Sequence, residues 1–372
     1  MKSFIFLLIF CLFPLSANSL IIHQSSKDSL LLTTNMDVYF TQSFNKVSDT
    51  INIVRFAGNS KFTDEFRLNI ISLLFDYRID NVQAVFDLQF GDMPHLLARA
   101  DQEFVKYIGR AYIGYTLPNK MKIQVGYLPD PIGIESTKPI DNMMTSISLI
   151  GYYEPDNFIG AKFITPITKN ITSTLYFGNP FTLKDGKNKN LNYGIQLVYT
   201  PIDNFDIIYS LQYGNQAEIT DTIDQNLMYN NFGIDFKITD KLEILAEADY
   251  GIQKGTFDDK ERSEHFFGGF LAAQYELFKS FYAKGRFEFF QDKTGFMTGN
   301  LLEHKGFLGS QNWKGFGMDA LGYAFVLEYR PMVNLYFKWE YRNLKAATGQ
   351  HIFNNNTSEE VNYMIFNAGI RF

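Results

Sequence analysis

The sequence predicts an all-β protein: a closed antiparallel transmembrane β-barrel of about sixteen strands, with eighteen as the other count the pattern allows. Three observations predict it. Apolar and polar residues alternate along segments of about ten residues. Tight turns take turns with much longer polar segments. The chain ends on Phe372, behind a face made of Ile370, Ala368, Phe366 and Met364, with Arg371, Gly369 and Asn367 on the other side.

The first element is an export signal. Lys2, an apolar run from Phe4 to Leu15 and the small-x-small triplet Ala17-Asn18-Ser19 predict a signal peptide over residues 1–19, cleaved after Ser19. The run is shorter than the roughly 20 residues a spanning helix needs. Cys11 is the only cysteine, and bulky Phe10 before it argues against lipid attachment. The mature chain, 20–372, is then one cysteine-free barrel domain, without disulfides, thiol chemistry or cysteine metal sites.

Strands follow near 31–44, 64–77, 81–91, 105–117, 121–128, 157–165, 170–179 and 191–200, then near 204–214, 229–238, 242–253, 265–277, 281–291, 321–329, 333–343 and 361–372. Each is close to the length of a tilted spanning strand. Between alternate pairs lie short turns such as DYRIDNV at 76–82, YTLPNKMKI at 115–123, TPIDNF at 200–205 and YRPMVNLY at 329–336. Pro presets φ, and Asn or Asp tolerates turn geometry. The other connections are long and Gly/Asn-rich, as at 179–190, 215–229, 253–264 and 342–360. Short at one end and long at the other is the asymmetry of outer-membrane barrels, with periplasmic turns and extracellular loops. An even count returns the last strand beside the first and leaves no open edge.

The faces agree. Leu335, Phe337, Trp339 and Tyr341 alternate with Tyr336, Lys338, Glu340 and Arg342; Phe205, Ile207, Tyr209, Leu211 and Tyr213 alternate with Asp206, Ser210 and Gln212. One face suits lipid and the other water. Aromatics recur near strand ends, at Tyr199, Phe205, Tyr275, Phe281, Tyr329 and Tyr363, as interfacial girdles require. The stretch LNIISLLFDY in the second strand is apolar on both faces and leaves its register open, and Gln291–Ala320 is long enough for one further hairpin.

Composition excludes several functions. A net charge of −6 without a Lys/Arg block speaks against nucleic acid. There are five histidines; Ser263 and His265 lie two apart, but no orienting acid is evident, so the chain is not read as an enzyme. The run Asp258-Asp259-Lys260-Glu261 lacks calcium-loop spacing. Neither metal nor cofactor is expected.

The third long connection, GYLPDPIGIESTKPIDNMMTSISLIGYYEPDN at 126–157, differs from the rest. Ile132, Ile134, Ile140, Met143, Met144, Ile147 and Leu149 make it too apolar to extend into water. It is expected to fold back into the lumen and pack on the wall. A barrel of sixteen or more strands is wide enough for an aqueous channel.

The run GYLPDPIGIE, Gly126 to Glu135, is similar to the G-x-x-x-x-P-x-G-x-E run of the phosphate-selective and putative porin-2 (OmpL-like) barrels, and the whole mature chain resembles a bacterial outer-membrane porin. The resemblance implies that residues 129–156 form the constriction loop and that Phe372 closes a strand read by the barrel-assembly machinery. No dense ladder of lumenal arginines is present, so phosphate selectivity is not expected.

Alternation assigns Lys106, Arg110, Lys122 and Lys162 to the lumen, then Asp206, Asp235, Lys237, Glu243, Glu247, Asp249 and Glu276, then Lys284, Arg286, Glu288, Glu328, Lys338, Glu340, Arg342 and Arg371. Opposed signs across a bore give a transverse field. Asp130, Glu135 and Asp141 of the third loop are expected to face basic wall residues at the narrowest point, with Lys138 beside them. The expected function is passive diffusion of ions and small hydrophilic solutes through a water-filled pore in outer-membrane lipid, in a homotrimer as in general porins. A substrate-specific channel and a closed barrel serving as adhesin or structural surface protein are the alternatives.

Overall fold

The computed structural model describes residues 19–45, 54, 56–57, 60–97, 105–179, 190–217, 219, 221–255, 259–295, 297–298, 317–353 and 357–372. The expected signal peptide, apart from Ser19, lies outside the described residues, as do Asp258 and most of the long segments 179–190 and 291–320.

One sheet of seventeen strands contains the whole architecture. In chain order they are β1 Leu20–Gln24, β2 Asp28–Ser43, β3 Phe66–Ile79, β4 Val82–Phe90, β5 Ile108–Thr116, β6 Lys122–Pro129, β7 Asn157–Pro166, β8 Ile171–Gly178 and β9 Asn192–Ile202. Then come β10 Phe205–Asn215, β11 Asn226–Lys237, β12 Leu242–Lys254, β13 Ser263–Phe278, β14 Phe281–Asp292, β15 Met318–Met332, β16 Leu335–Ala346 and β17 Glu360–Arg371. A short helix α1, Asp92–Leu97, follows β4. Each of β2 to β17 pairs antiparallel with its sequence neighbours, and β17 returns to β2 with Arg371 opposite Asn35 and Tyr363 opposite Ser43. The sixteen strands expected from alternation are therefore these sixteen, and the ring is closed.

The seam is finished at backbone level. Thr34 N donates to the Phe372 carbonyl at 2.6 Å, and Phe372 N donates back to Thr34 O at 3.0 Å. β2 runs on past the end of β17, and β1 turns back to pair with that extension, Leu20 opposite Leu32 and Gln24 opposite Ser29. Thus the edge that the last strand leaves bare is covered by the first. Residues 20–30 gave no strand signal because five residues are too few to show a period; β1 exists because β2 offers it an edge.

The short connections sit at one end, where Asp80, Lys120 and Ser280 take the left-handed conformation with φ of 48°, 66° and 71°. The ambiguous second strand is settled by a bulge: Asp37 faces Ile70 but Val38 faces Leu68, so one extra residue, Asn69, is accommodated. Asn69 then donates to Asp37 at 2.6 Å inside the barrel. Elsewhere the faces separate as alternation predicts. Phe337, Phe366, Tyr323, Phe325 and Leu327 are exposed outward, while Tyr336, Lys338, Glu340 and Arg342 are buried inward.

Candidate functional site

The connection from Asp130 to Asp156, between β6 and β7, crosses the interior of the ring. Its root is shaped by the residues of the GYLPDPIGIE run. Gly126 has φ +144°, and a Cβ there would strike the Ala111 carbonyl of β5; Gly133 has φ +83°, and its Cβ would strike the Glu154 carboxylate. Only glycine fits both constraints. The Pro131 carbonyl accepts from Gln196 Nε2 of β9 at 2.7 Å and Ser210 Oγ of β10 at 2.6 Å, and Ile134 N donates to Glu247 of β12 at 3.3 Å.

The far end of the loop is held by charged side chains on the opposite wall. Arg286 of β14 reaches Glu135 at 2.9 Å and the Ser146 carbonyl at 2.7 Å. Glu340 of β16 accepts from the backbone N of Thr145 at 2.7 Å and of Ser146 at 3.0 Å, and Glu288 of β14 accepts from Leu149 N at 2.6 Å. Lys338 of β16 donates to the carbonyls of Pro139, Asn142 and Met144 at 2.6, 2.7 and 3.3 Å. Arg371 of β17 holds Asp141 at 2.7 Å. Lys138 turns the other way, to Asp87 of β4 at 2.8 Å. The wall therefore supplies hydrogen-bond partners to much of the loop's backbone, so a non-helical segment can lie in the interior.

Apolar contacts supply the rest. Met144, Leu149, Ile150 and Tyr153 are at most 1% exposed. Tyr153 stacks on Phe290 of β14 with ring centroids 4.9 Å apart, and Phe56, from the β2–β3 connection, sets its edge against Tyr152 and Phe353. A hydrophobic core has formed inside the barrel towards its long-loop end.

Beneath the loop a cavity of about 380 Å³ remains on the short-turn side. Gly133, Ile134 and Asp141 to Met143 roof it; Asp206, Asp235 and Glu243 line one arc, and Lys284, Glu328 and Arg330 line the other. In the second arc Glu328 pairs with both Lys284 and Arg330. In the first, Asp206 lies directly opposite Asp235 across β10 and β11.

The residues singled out by sequence are distributed as follows. Glu135 and Asp141 meet Arg286 and Arg371. Asp130 accepts from Gln212 at 3.4 Å, and burial pushes its carboxyl up to about 7 against the opposing pull of Lys162. Lys162 donates to the Pro129 carbonyl. Burial lowers Lys138 despite its bond to Asp87. Arg110 stands 3.7 Å from Asp87, joining Lys138 there. Lys284 lines the cavity. Two of the basic residues lie away from the loop's anchors. Lys106 belongs to a 3-10 turn, Val105–Tyr107, before β5 rather than to a strand, and Lys122 is exposed at the start of β6. Lys106 therefore lies outside the reach of strand alternation, whereas Lys122 keeps the phase of Gln124 and Leu128 on β6.

Glu154 belongs to the loop expected to fold inward, but sequence reasoning gave it no partner on the wall. It converges on Glu247 and Asp249 of β12, and burial, followed by those two charges, raises its carboxyl well above the usual range. No spacing in the sequence links position 154 to β12.

The fold is that of solved outer-membrane proteins. Salmonella typhi OmpF, solved as a complex with daunomycin, shares 11% identity at a TM-score of 0.62, covering 95% of this chain and 100% of that one. The outer membrane channel DcaP of Acinetobacter baumannii shares 12% at 0.60, covering 94% and 99%. OmpT of Vibrio cholerae in its trimer form shares 10% at 0.56, covering 93% and 100%. No curated protein matches the chain. The model of the putative beta-barrel porin-2, OmpL-like family matches residues 30–372, and the chain belongs to that family.

Proposed function

We propose that the mature chain, freed by cleavage after Ser19, is a diffusion channel of the bacterial outer membrane that passes ions and small hydrophilic solutes past a constriction formed by residues 129–156. The observation that carries this reading is the charged cavity beneath the loop, inside a closed ring of sixteen strands. Porins of this fold assemble as trimers in the case of Vibrio cholerae OmpT, and a homotrimer is the assembly proposed here.

The charges favour cations. Glu135 and Asp141 are paired with arginines, so they contribute little net field. Asp206, Asp235 and Glu243 form an acidic arc on three adjacent strands, and a low-dielectric wall focuses that field into the cavity. A second reading, a gated or substrate-specific channel, is favoured by the buried apolar residues of the loop, which pack into a hydrophobic cluster inside the barrel.

Single-channel recording of the refolded mature protein, with a salt gradient, tests the proposal. Discrete steps with a reversal potential of cation sign support it, and steps closing in threes support the trimer. A folded, heat-modifiable barrel that never conducts would overturn the diffusion reading in favour of a closed surface protein.

A further inference from the structure

The cavity beneath the third loop has two poles of opposite charge. On β10, β11 and β12, Asp206, Asp235 and Glu243 present three carboxylates to it. The groups that donate to them are neutral: Thr200 donates to Asp206, and Gln274 donates to Glu243. Among the described residues no Lys or Arg forms an ion pair with any of the three, although Lys237 stands opposite Glu243 across β11 and β12. This pole keeps its negative charge.

On β14 and β15 the sign reverses. Lys284 and Arg330 share a single carboxylate, Glu328, so this side holds one positive charge in excess. Lys284 is 3% exposed, and its pairing with Glu328 leaves its ammonium group with further donors for a second acceptor. Arg330 Nε reaches Glu328 at 2.5 Å, and Nη2 contacts the loop carbonyl of Ile140 at 3.4 Å.

The register sets the separation of the poles. Glu243, Gln274 and Lys284 occupy one row across β12, β13 and β14, so two strand spacings of about 4.8 Å put the first and last about 10 Å apart along the wall. Ile208 and Leu245 of the wall and Ile134 of the loop add apolar surface to the same cavity. Its volume of about 380 Å³ falls at the small end of the range of small-molecule sites, roughly 300–1,000 Å³. A bare cation answers only the acidic pole, and a bare anion at the basic pole meets the opposing field of the other. A molecule carrying both charges on a short apolar stem answers both poles at once.

We propose that this cavity is a subsite for small zwitterions of the amino-acid class, the ammonium group lying against Asp206, Asp235 and Glu243 and the carboxylate against Lys284 and Arg330. The inference names a solute for the channel proposed above and rests on that reading for its role in transport.

The probe is γ-aminobutyrate, compared with butylammonium and butyrate, which carry a similar stem and one charge each. Binding is read by ligand-observed NMR titration of the full mature protein refolded in detergent. γ-Aminobutyrate is expected to half-saturate at a concentration at least about tenfold below that of either single-charge probe. The combined Asp235→Asn and Glu243→Gln variant should weaken γ-aminobutyrate and butylammonium by about tenfold without weakening butyrate, and Lys284→Met should weaken γ-aminobutyrate and butyrate without weakening butylammonium. A purely structural effect would move all three probes together. Equal half-saturation by γ-aminobutyrate and butylammonium would overturn the assignment, as would variants that weaken all three probes alike. The acidic-pole variant removes repulsion and decides the question even if Lys284→Met fails to fold. Single-channel recording separates this inference from the channel reading. Potassium chloride current without selective binding removes the subsite and keeps the channel, whereas selective binding to a barrel that never conducts keeps the subsite and removes the channel.

Discussion

Arg286 and Glu135 meet at 2.9 Å although they belong to opposite sides of the ring, and both side chains are withdrawn from solvent. Truncating Arg286 should leave the buried Glu135 charge without its ion-pair partner, at a cost of about 3–5 kcal/mol. Arg286→Met is expected to lower the melting temperature more than Glu135→Gln, because Arg286 also holds the Ser146 carbonyl and contacts Glu288. The double variant should lose less than the sum of the two, and a double-mutant cycle on thermal unfolding in detergent reads this directly.

Lys338 serves three loop carbonyls from one ammonium group. Lys338→Met keeps the stem's packing and removes all three bonds. The expected outcome is a loop tip released from β16, larger single-channel steps, and a loss of stability of about 2–4 kcal/mol. Steps of unchanged size and noise would show that the tip does not limit the path.

Asp206, Asp235 and Glu243 supply the acidic arc of the cavity. Replacing all three by their amides should move the reversal potential towards anions. It should also leave the barrel as stable or slightly more so, since the like charges facing each other on β10 and β11 destabilise by about 0.2–1 kcal/mol. Amide replacement of Glu135 and Asp141, already paired, should shift selectivity less.

Asp130 titrates near 7 in the folded protein, with burial the main cause. Because the folded value lies above the ordinary 3.8, the folded state binds the proton more tightly than the unfolded chain does. Its contribution to stability is complete below pH about 4 and is lost as pH rises through about 7. Asp130→Asn should therefore flatten the fall in melting temperature between those limits, leaving a residual slope from the other buried acids. A slope identical to wild type would exclude Asp130 as its source.

Strand periodicity was enough to place all sixteen barrel strands, because a wall with lipid outside and water inside imposes a period of two on every one of them. The apolar residues of the third loop likewise announced that it turns inward. What periodicity could not convey was pairing across the lumen. Glu135 pairs with Arg286 and Asp141 with Arg371, and which arginine each meets depends on ring curvature and loop path. The partners of Glu154 were hidden for the same reason. Asn69 shows the limit within a strand: a single bulge residue breaks the period exactly where the apolar stretch was already uninformative.

The anchors of the third loop also fix a chronology. Glu135 and Arg286 are 151 positions apart, Ser146 and Glu340 are 194, and Asp141 and Arg371 are 230. Contacts so distant along the chain form late, after the loop-closure entropy of the intervening strands has been overcome. Until β14, β16 and β17 have joined the sheet, the loop has no lumenal lock on the far wall. The loop is locked only in the closed ring, so a chain truncated before β14 would be an open sheet with a loose, apolar, aggregation-prone flap.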